Sequence, residues 1–528
     1  MSGWVIVVVM ATTRWRARVG QPRSLADALT FLRAHDPRAE LVVPTWGGPV
    51  DAPVLDGATL ESSQVVAGDL FAGLGGARRH GAEFADDAAV AGAVALLSDR
   101  PSPALPSLVI PGARQLLGPL ASWLHGEPSA TVDVHGVTGT NGKTSTVHLI
   151  AAGLAAAGRR AGWAGSLEMH AGDHVRPAER TTVEAPAVQE FLACARDAGV
   201  SDVALEVSSH GLALDRVGGV RFRTAVFTNF SPDHLDLHGD LESYYASRAS
   251  LFTPDRCGLA VIGVDDAAGR RLARETRCPV VTFSAGGSSA EWRATEVHAG
   301  LAGTRFRLRG PGVDQLVRLT LLGTHQVDNA LAAVAALVAS GVDVADAVSG
   351  VEETAGLPGR LERVDLGQPF LALVDYAHNV GGQGRLLPFL RSLAPGRLIV
   401  VLGATGGRDP GKRDALGSFV GAEADVVVVT DESAHDDDPV VLRKEVADGA
   451  RRAGRAEVVT EPDRAQAIGL AVAAAGPGDV VVVVGRGSDQ VLVSAGRHRT
   501  FEDRVVLRHA LADQARVGRR ALAVGDEH

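Results

Sequence analysis

Positions 135–146 read HGVTGTNGKTST, where Gly136, Gly139 and Gly142 precede Lys143 and Thr144. The segment follows an apolar run and leads into a helical-looking stretch. Such a strand–loop–helix turns backbone N–H groups and a helix N-terminus towards an anion, and glycine lets the backbone come close to it. Lys143 would reach terminal phosphates, and the Thr144 hydroxyl would sit on Mg2+. The loop departs from strict phosphate-loop spacing, because five residues rather than four separate Gly136 from Gly142. Lysine is scarce in this chain: Lys143, Lys412 and Lys444 are the only three among 52 Lys and Arg. Retaining one of them in the glycine loop favours phosphate binding over a plain turn. Two further clusters carry chemistry. ALEVSSH (204–210) puts Glu206 at the end of a buried strand, where ligands collect in open α/β sheets. TNFSPDHLDLHGDLESYY (228–245) crowds His234, Asp236 and His238 into one loop. Histidine and carboxylate beside a nucleotide point to a second divalent cation, or equally to a polar loop with a satisfied histidine.

These residues need elements to position them. The pattern predicts a strand over Val132–Val137, a helix over Thr144–Ala157, and strands ending near Glu206 and Thr228. GLAVIG and CPVVTF continue the buried runs, and buried runs separated by helices mean a mostly parallel sheet covered on both faces. RFRLRG and QLVRLTLLG alternate instead and predict antiparallel strands, with a helix over 323–340 after them. Upstream, a helix is expected over Glu83–Ala95. Boundaries are read at HGEPSATV (125–132) and at the glycine–proline–glycine turn of 356–359, giving domains 1–130, 131–355 and 356–528. The last repeats the α/β rhythm in FLALVDY, RLIVVLG, DVVVVTD, AEVVT and DVVVVVG.

The chain has 528 residues, a formal charge of −10 and three cysteines without metal-like or disulfide spacing. A net anion argues against nucleic-acid binding. The N-terminal apolar run is short and lacks a preceding basic residue, so no signal peptide is expected. No segment has the length of uncharged apolar sequence that a membrane span needs. A reducing cytoplasm is the expected home.

GVTGTNGKTST, EVSSHGLALDRV, TNFSPDHLDLHGDLESYY, GLPGRLERV, VDYAHN and GGRDPGKR occur in this order over about 400 residues. In this the chain resembles the Mur ligase family, most closely its MurE-like branch, which adds the third amino acid to UDP-N-acetylmuramoyl-L-alanyl-D-glutamate. RTTVEAPAVQ (180–189) resembles that branch's muramoyl-peptide contact segment, and ESSQVVAGDLFAGLGG its uridine-binding domain. The resemblance implies an α/β fold of three domains: an N-terminal uridine-nucleotide-binding-like domain, a central P-loop-type domain and a C-terminal Rossmann-like domain. It implies an ATP- and Mg2+-dependent ligase. ATP phosphorylates a substrate carboxylate, and the amine of an amino acid attacks the acyl phosphate. The catalytic set implied is Lys143, Glu206, His234 and Arg248. Gly139, Thr140, Asn141, Gly142, Lys143, Thr144, Ser145, Asn329, Arg360 and Asp375 would bind ATP. Thr144, Glu206 and His234 would hold metal. Thr181, Thr182, Ser209 and Arg216 would grip the muramoyl peptide, and Arg408, His435 and Asp489 the amino acid. A monomer is expected.

Five departures stand out. Where the family has a lysine that CO2 converts to a carbamate, this chain has Arg248, which stays protonated. Arg248 would either contact phosphate in place of one metal or leave the second metal weakly held. Where diaminopimelate-adding enzymes carry DNPR, this chain has Glu432, Ser433, Ala434 and His435, so a cationic or small amino acid fits better than diaminopimelate. GRGSDQ stands for GKGHE, with Asp489 still able to bind an α-ammonium and Arg408 an α-carboxylate. Gln326 and Leu214 also break the pattern. Two other functions follow from the departures: a paralogue joining an amino acid to a different acid in specialised metabolism, and a silent paralogue that binds nucleotide or a partner.

Overall fold

The computed structural model describes Trp15 and residues 22–44, 53–76, 79–409 and 411–525; most of the N-terminal run considered for a signal peptide lies outside them. The chain forms two compact units, the first of Met1–Gly136, Arg159–Arg223 and Pro254–Gly258, the second of Val137–Gly158, Thr224–Thr253 and Leu259–His528.

In the first unit, a five-stranded sheet runs in the order Glu40–Val42, Ser107–Val109, Ala95–Ser98, Asp69–Ala72, Gly57–Thr59. The last four are parallel and the first is antiparallel. Asp69–Ala72 and Ala95–Ser98 are buried at every residue, as strands covered on both faces must be. The helix Leu25–His35 begins in a capping box between Ser24 and Asp27 and gives Leu25, Ala28 and Leu32 to the core. The helix expected over Glu83–Ala95 is shorter. A 3-10 turn occupies Gly81–Phe84, the α-helix runs Ala85–Ala91, and Gly92 ends it at φ 108°. Ala95 then opens a strand, because ALLS is apolar on both faces and is claimed by the sheet. Farther along, Asp202–Glu206 pairs in parallel with Ala161–Ala164, which continues into the antiparallel strands Glu168–Ala171 and His174–Pro177. Asp202 is buried, and His135 Nε2 (3.2 Å) and Arg159 Nη1 (3.0 Å) both reach its carboxylate.

In the second unit, Phe222–Phe227 is followed across the sheet by Cys257–Gly263, Val280–Ser284, Trp292–Gly300, Gly303–Gly310 and Val313–Leu319. The middle strands are parallel and the last three antiparallel, as the change from continuous to alternating apolar pattern predicts. The helices Lys143–Ala156 and His325–Ala339 agree with expectation to within one or two residues. A six-stranded sheet follows, ordered Glu362–Arg363, Leu371–Asp375, Val480–Val484, Leu398–Leu402, Val426–Val429, Glu457–Thr460. All its pairings except the first are parallel. The valine runs at 426–429 and 480–484 are wholly buried, with helices on both faces supplying two separate apolar clusters.

Candidate active site

In the second unit, the loop after the strand Asp133–Thr138 is shaped by close backbone approaches. Gly139 has φ 144° and Gly142 φ 91°. A Cβ on Gly139 would stand 1.9 Å from Thr228 Oγ1, and one on Gly142 2.3 Å from Asn329 Oδ1. Neither position admits a side chain. Thr228 Oγ1 and Asn229 Nδ2 donate to the Asn141 carbonyl at 2.6 and 3.0 Å, and Asn229 Oδ1 accepts from Asn141 N at 3.0 Å. Lys143 opens the helix, and its Nζ donates to the carbonyls of Gly139 (2.9 Å) and Thr140 (3.0 Å). The ammonium is thus held over the loop that a phosphate would enter. Thr144 and Ser145 are buried at the first turn, and Arg360 Nη2 donates to Thr144 Oγ1 at 3.1 Å. Arg360 lies 4.2 Å over the Tyr376 ring. Asn329 packs beneath Gly142, and its Nδ2 donates to Gln326 Oε1 at 2.9 Å, so the departing Gln326 fixes its orientation. Asp375 is buried and accepts from Leu361 N (2.7 Å) and Ala377 N (2.8 Å); burial pushes its pKa up.

His234 has a left-handed backbone (φ 54°) and a quarter-exposed ring. Beside it lies a residue that the sequence reading passed over. Asp233 is 4% exposed, and its carboxylate accepts from Asn379 Nδ2 at 2.8 Å and His234 N at 3.0 Å. His378 Nε2 and Lys412 Nζ each stand 3.5 Å away. Burial works against this charge, but His378, His234 and Lys412 together hold the pKa far below the carboxylate range. Three motifs meet here: DHLDLH, VDYAHN and GGRDPGKR. The available signal was Lys412, one of three lysines.

The residues expected to bind the amino acid follow the carboxyl ends of strands of the six-stranded sheet, where ligands of parallel sheets collect. Arg408 is exposed, and His435 takes φ 51° and bridges to Ser494. Glu432 is buried with its carboxylate on the Thr405 hydroxyl. Asp489 follows the strand Val480–Val484 and is exposed at its surface, while desolvation of its carboxyl, opposed by Arg486 and aided by Glu432, raises its pKa to about 6.

In the first unit, Glu206 is 1% exposed, and its carboxylate accepts from Ser166 N (2.8 Å) and Ser166 Oγ (3.3 Å). Thr181 Oγ1 joins Ser166 Oγ at 3.0 Å. Thr182 Oγ1 donates to the Glu206 carbonyl at 2.9 Å and accepts from Ser208 N at 3.0 Å. Arg216 pairs with Glu184 (2.8 Å) and donates to the Thr182 carbonyl (3.3 Å), and Ser209 is buried in the adjoining short helix. The structure therefore gathers Thr181, Thr182, Arg216 and Glu206 around one strand end. Lys143, Thr144, Asn329, Arg360, His234 and Arg248 belong to the other unit.

The Mur ligase middle domain model matches residues 137–337, and the Mur ligase glutamate ligase domain model matches residues 359–487. The UDP-N-acetylmuramoyl-L-alanyl-D-glutamate–2,6-diaminopimelate ligase of Streptomyces coelicolor is 44% identical over 468 residues, 87% of this chain and 92% of its own length. The chain belongs to the Mur ligase family. Its resemblance to the MurE-like branch is borne out by this relative and by the UDP-N-acetylmuramyl-tripeptide synthetase of Leifsonia xyli, 38% identical over 88% of this chain and 93% of the relative. A solved UDP-N-acetylmuramoyl-L-alanyl-D-glutamate–2,6-diaminopimelate ligase superposes with a TM-score of 0.62 at 28% identity, covering 92% of this chain and 99% of that one. The MurF ligase of Thermotoga maritima in complex with ADP shares the fold, with a TM-score of 0.60 at 18% identity over 86% of this chain and 96% of that one. As a Mur ligase, the chain is an ATP-dependent amide-forming enzyme. No helix among the described residues is long and apolar enough to cross a membrane.

The donors can be tested against Mg2+. Thr144 offers a hydroxyl at the loop, and Glu206 a buried carboxylate with no cationic side chain within 4.0 Å among the described residues; both suit a hard cation. Arg248 does not: a guanidinium has no electron pair to give.

Proposed function

We propose that this Mur ligase joins an amino acid to the D-glutamate carboxyl of UDP-N-acetylmuramoyl-L-alanyl-D-glutamate, as a step of peptidoglycan precursor synthesis. The observation that carries the reaction type is the glycine loop with Lys143 poised over it. The names of the 38–44% identical relatives support the acid substrate.

A carboxylate is a poor electrophile, and phosphoryl transfer gives it a leaving group. Lys143 and the N–H groups of 139–145 neutralise charge that builds on the transferred group. Mg2+ on the Thr144 hydroxyl would supply further positive charge on the phosphates. Asn329, packed beneath Gly142, would meet the adenine. Arg360 stacks on Tyr376 so that its guanidinium stays at the phosphate end, and Asp375 fixes the backbone of 361 and 377. Thr181, Thr182, Ser209 and Arg216 hold the muramoyl peptide. Arg408 takes the α-carboxylate of the incoming amino acid, and Asp489 its ammonium before attack.

For the amino acid, the relatives favour diaminopimelate. Glu432 and His435 favour a second reading, a cationic or small amino acid, since the arginine that would clamp a distal carboxylate is replaced. Supplying the dipeptide with 18O in its glutamyl carboxyl, ATP and a panel of amino acids tests both. Label in inorganic phosphate with amide product supports the ligase reading, and product without label overturns it. Turnover with diaminopimelate against lysine, ornithine and glycine decides the amino acid.

A further inference from the structure

We infer that Arg248 is a fixed internal cation of the nucleotide site, standing in for one divalent ion, so that the enzyme holds its nucleotide with a single tightly bound metal. Arg248 and Tyr244 lie four residues apart on the helix Leu241–Ala249 and so share one face. That face turns inward, leaving Arg248 1% exposed. Its Nη1 donates to Thr138 Oγ1 at 2.8 Å and its Nη2 to the Tyr244 hydroxyl at 2.6 Å. The same hydroxyl stands 3.2 Å from Thr140 Oγ1, which in turn accepts from Ser231 N at 3.0 Å. The guanidinium thus grips the chain on both sides of Gly139, where the phosphate loop begins.

Its charge is not balanced locally. Among the described residues no carboxylate lies within 4.0 Å of it, and Nε has no hydrogen-bond partner. A buried cation without a counter-ion is strongly destabilising. A phosphate in the loop above it would supply the missing charge. Its field is felt nearby: burial and the Arg248 charge together push the His238 pKa down. The same field opposes a second metal ion. Arg248 acts through the loop, so it is a positioning residue. The inference rests on nucleotide use and is indifferent to which amino acid is added, so it can fail while the proposed reaction stands.

The test uses the full chain and two probes, ADP and Mn2+. Mn2+ titration with a non-hydrolysable ATP analogue, counted by electron paramagnetic resonance, should show one tight ion per bound nucleotide; two would overturn the inference. In EDTA, calorimetry should give ADP affinity about tenfold weaker for Arg248→Met than for wild type. Arg248→Lys, kept cationic in CO2-depleted buffer, should restore it to within about threefold. Equal metal-free ADP affinity in wild type and Arg248→Met would also overturn it. Should Arg248→Met not fold, the wild-type Mn2+ count decides.

Discussion

The glycine loop and the carboxyl end of the six-stranded sheet manage charge in opposite ways. At the loop Lys143 donates to two carbonyls, while among the described residues Arg360 and Arg248 have no carboxylate within 4.0 Å: Arg360 rests on a hydroxyl and a ring, and Arg248 on two hydroxyls. At the sheet end it is carboxylates that, among the described residues, lack ion pairs. Glu432 contacts a hydroxyl, and Asp489 has no ion-pair partner within 4.0 Å among the described residues. The arginines nearby are spoken for. Arg464 forms a bidentate pair with Asp503, both bonds 2.7 Å and both residues buried, and Arg486 donates to Ser433 and to backbone carbonyls. An unpaired charge in a partly desolvated site is a demand for a ligand of opposite sign. One site therefore suits an anion and the other an ammonium, which is the division of labour that amide formation from an acid and an amine requires.

Breaking the anionic half should have the largest effect. Lys143→Ala is expected to lower kcat by about 10²–10³-fold with the fold intact, read by phosphate release and circular dichroism. On the other half, Glu432→Gln should raise KM for a cationic amino acid by about tenfold and leave KM for ATP unchanged. If both constants move together, the two sites are not separate in charge. Asp233 ties the two halves together, since His378, Asn379 and Lys412 all reach it. Asp233→Asn and Lys412→Met should therefore be non-additive in thermal stability, with a coupling of about 1 kcal/mol in a double-mutant cycle. The smallest expected effect is one of pH. Ionised Asp489 attracts the incoming ammonium, and its pKa is raised to about 6. KM for the amino acid should fall as pH rises through about 6, and Asp489→Asn should flatten that profile.

Much of this was readable beforehand for physical reasons. The valine runs of 426–429 and 480–484 can only be strands covered on both faces, and the alternation at 305–310 only a strand with one wet face. The glycine loop was readable because its constraint is local: a Cβ at 139 or 142 collides with Thr228 or Asn329. The helix read over 83–95 failed at its end, since Ala95–Ser98 is as apolar as a helix face and only its place in the sheet makes it a strand. Asp233 was missed because what makes it matter comes from far along the chain.

Chain order and residue type by themselves determined the family, the alternation of strands and helices, and the place of the glycine loop, because periodicity and glycine spacing act over a few residues. Tertiary structure alone decided that Asn379 meets Asp233 across 146 residues and that Arg360 meets Thr144 across 216. It also decided that Arg248 would be buried with no carboxylate within 4.0 Å among the described residues. Those facts depend on the order in which strands are laid side by side, and side-chain periodicity says which face of a strand is buried but not which strand lies next to it.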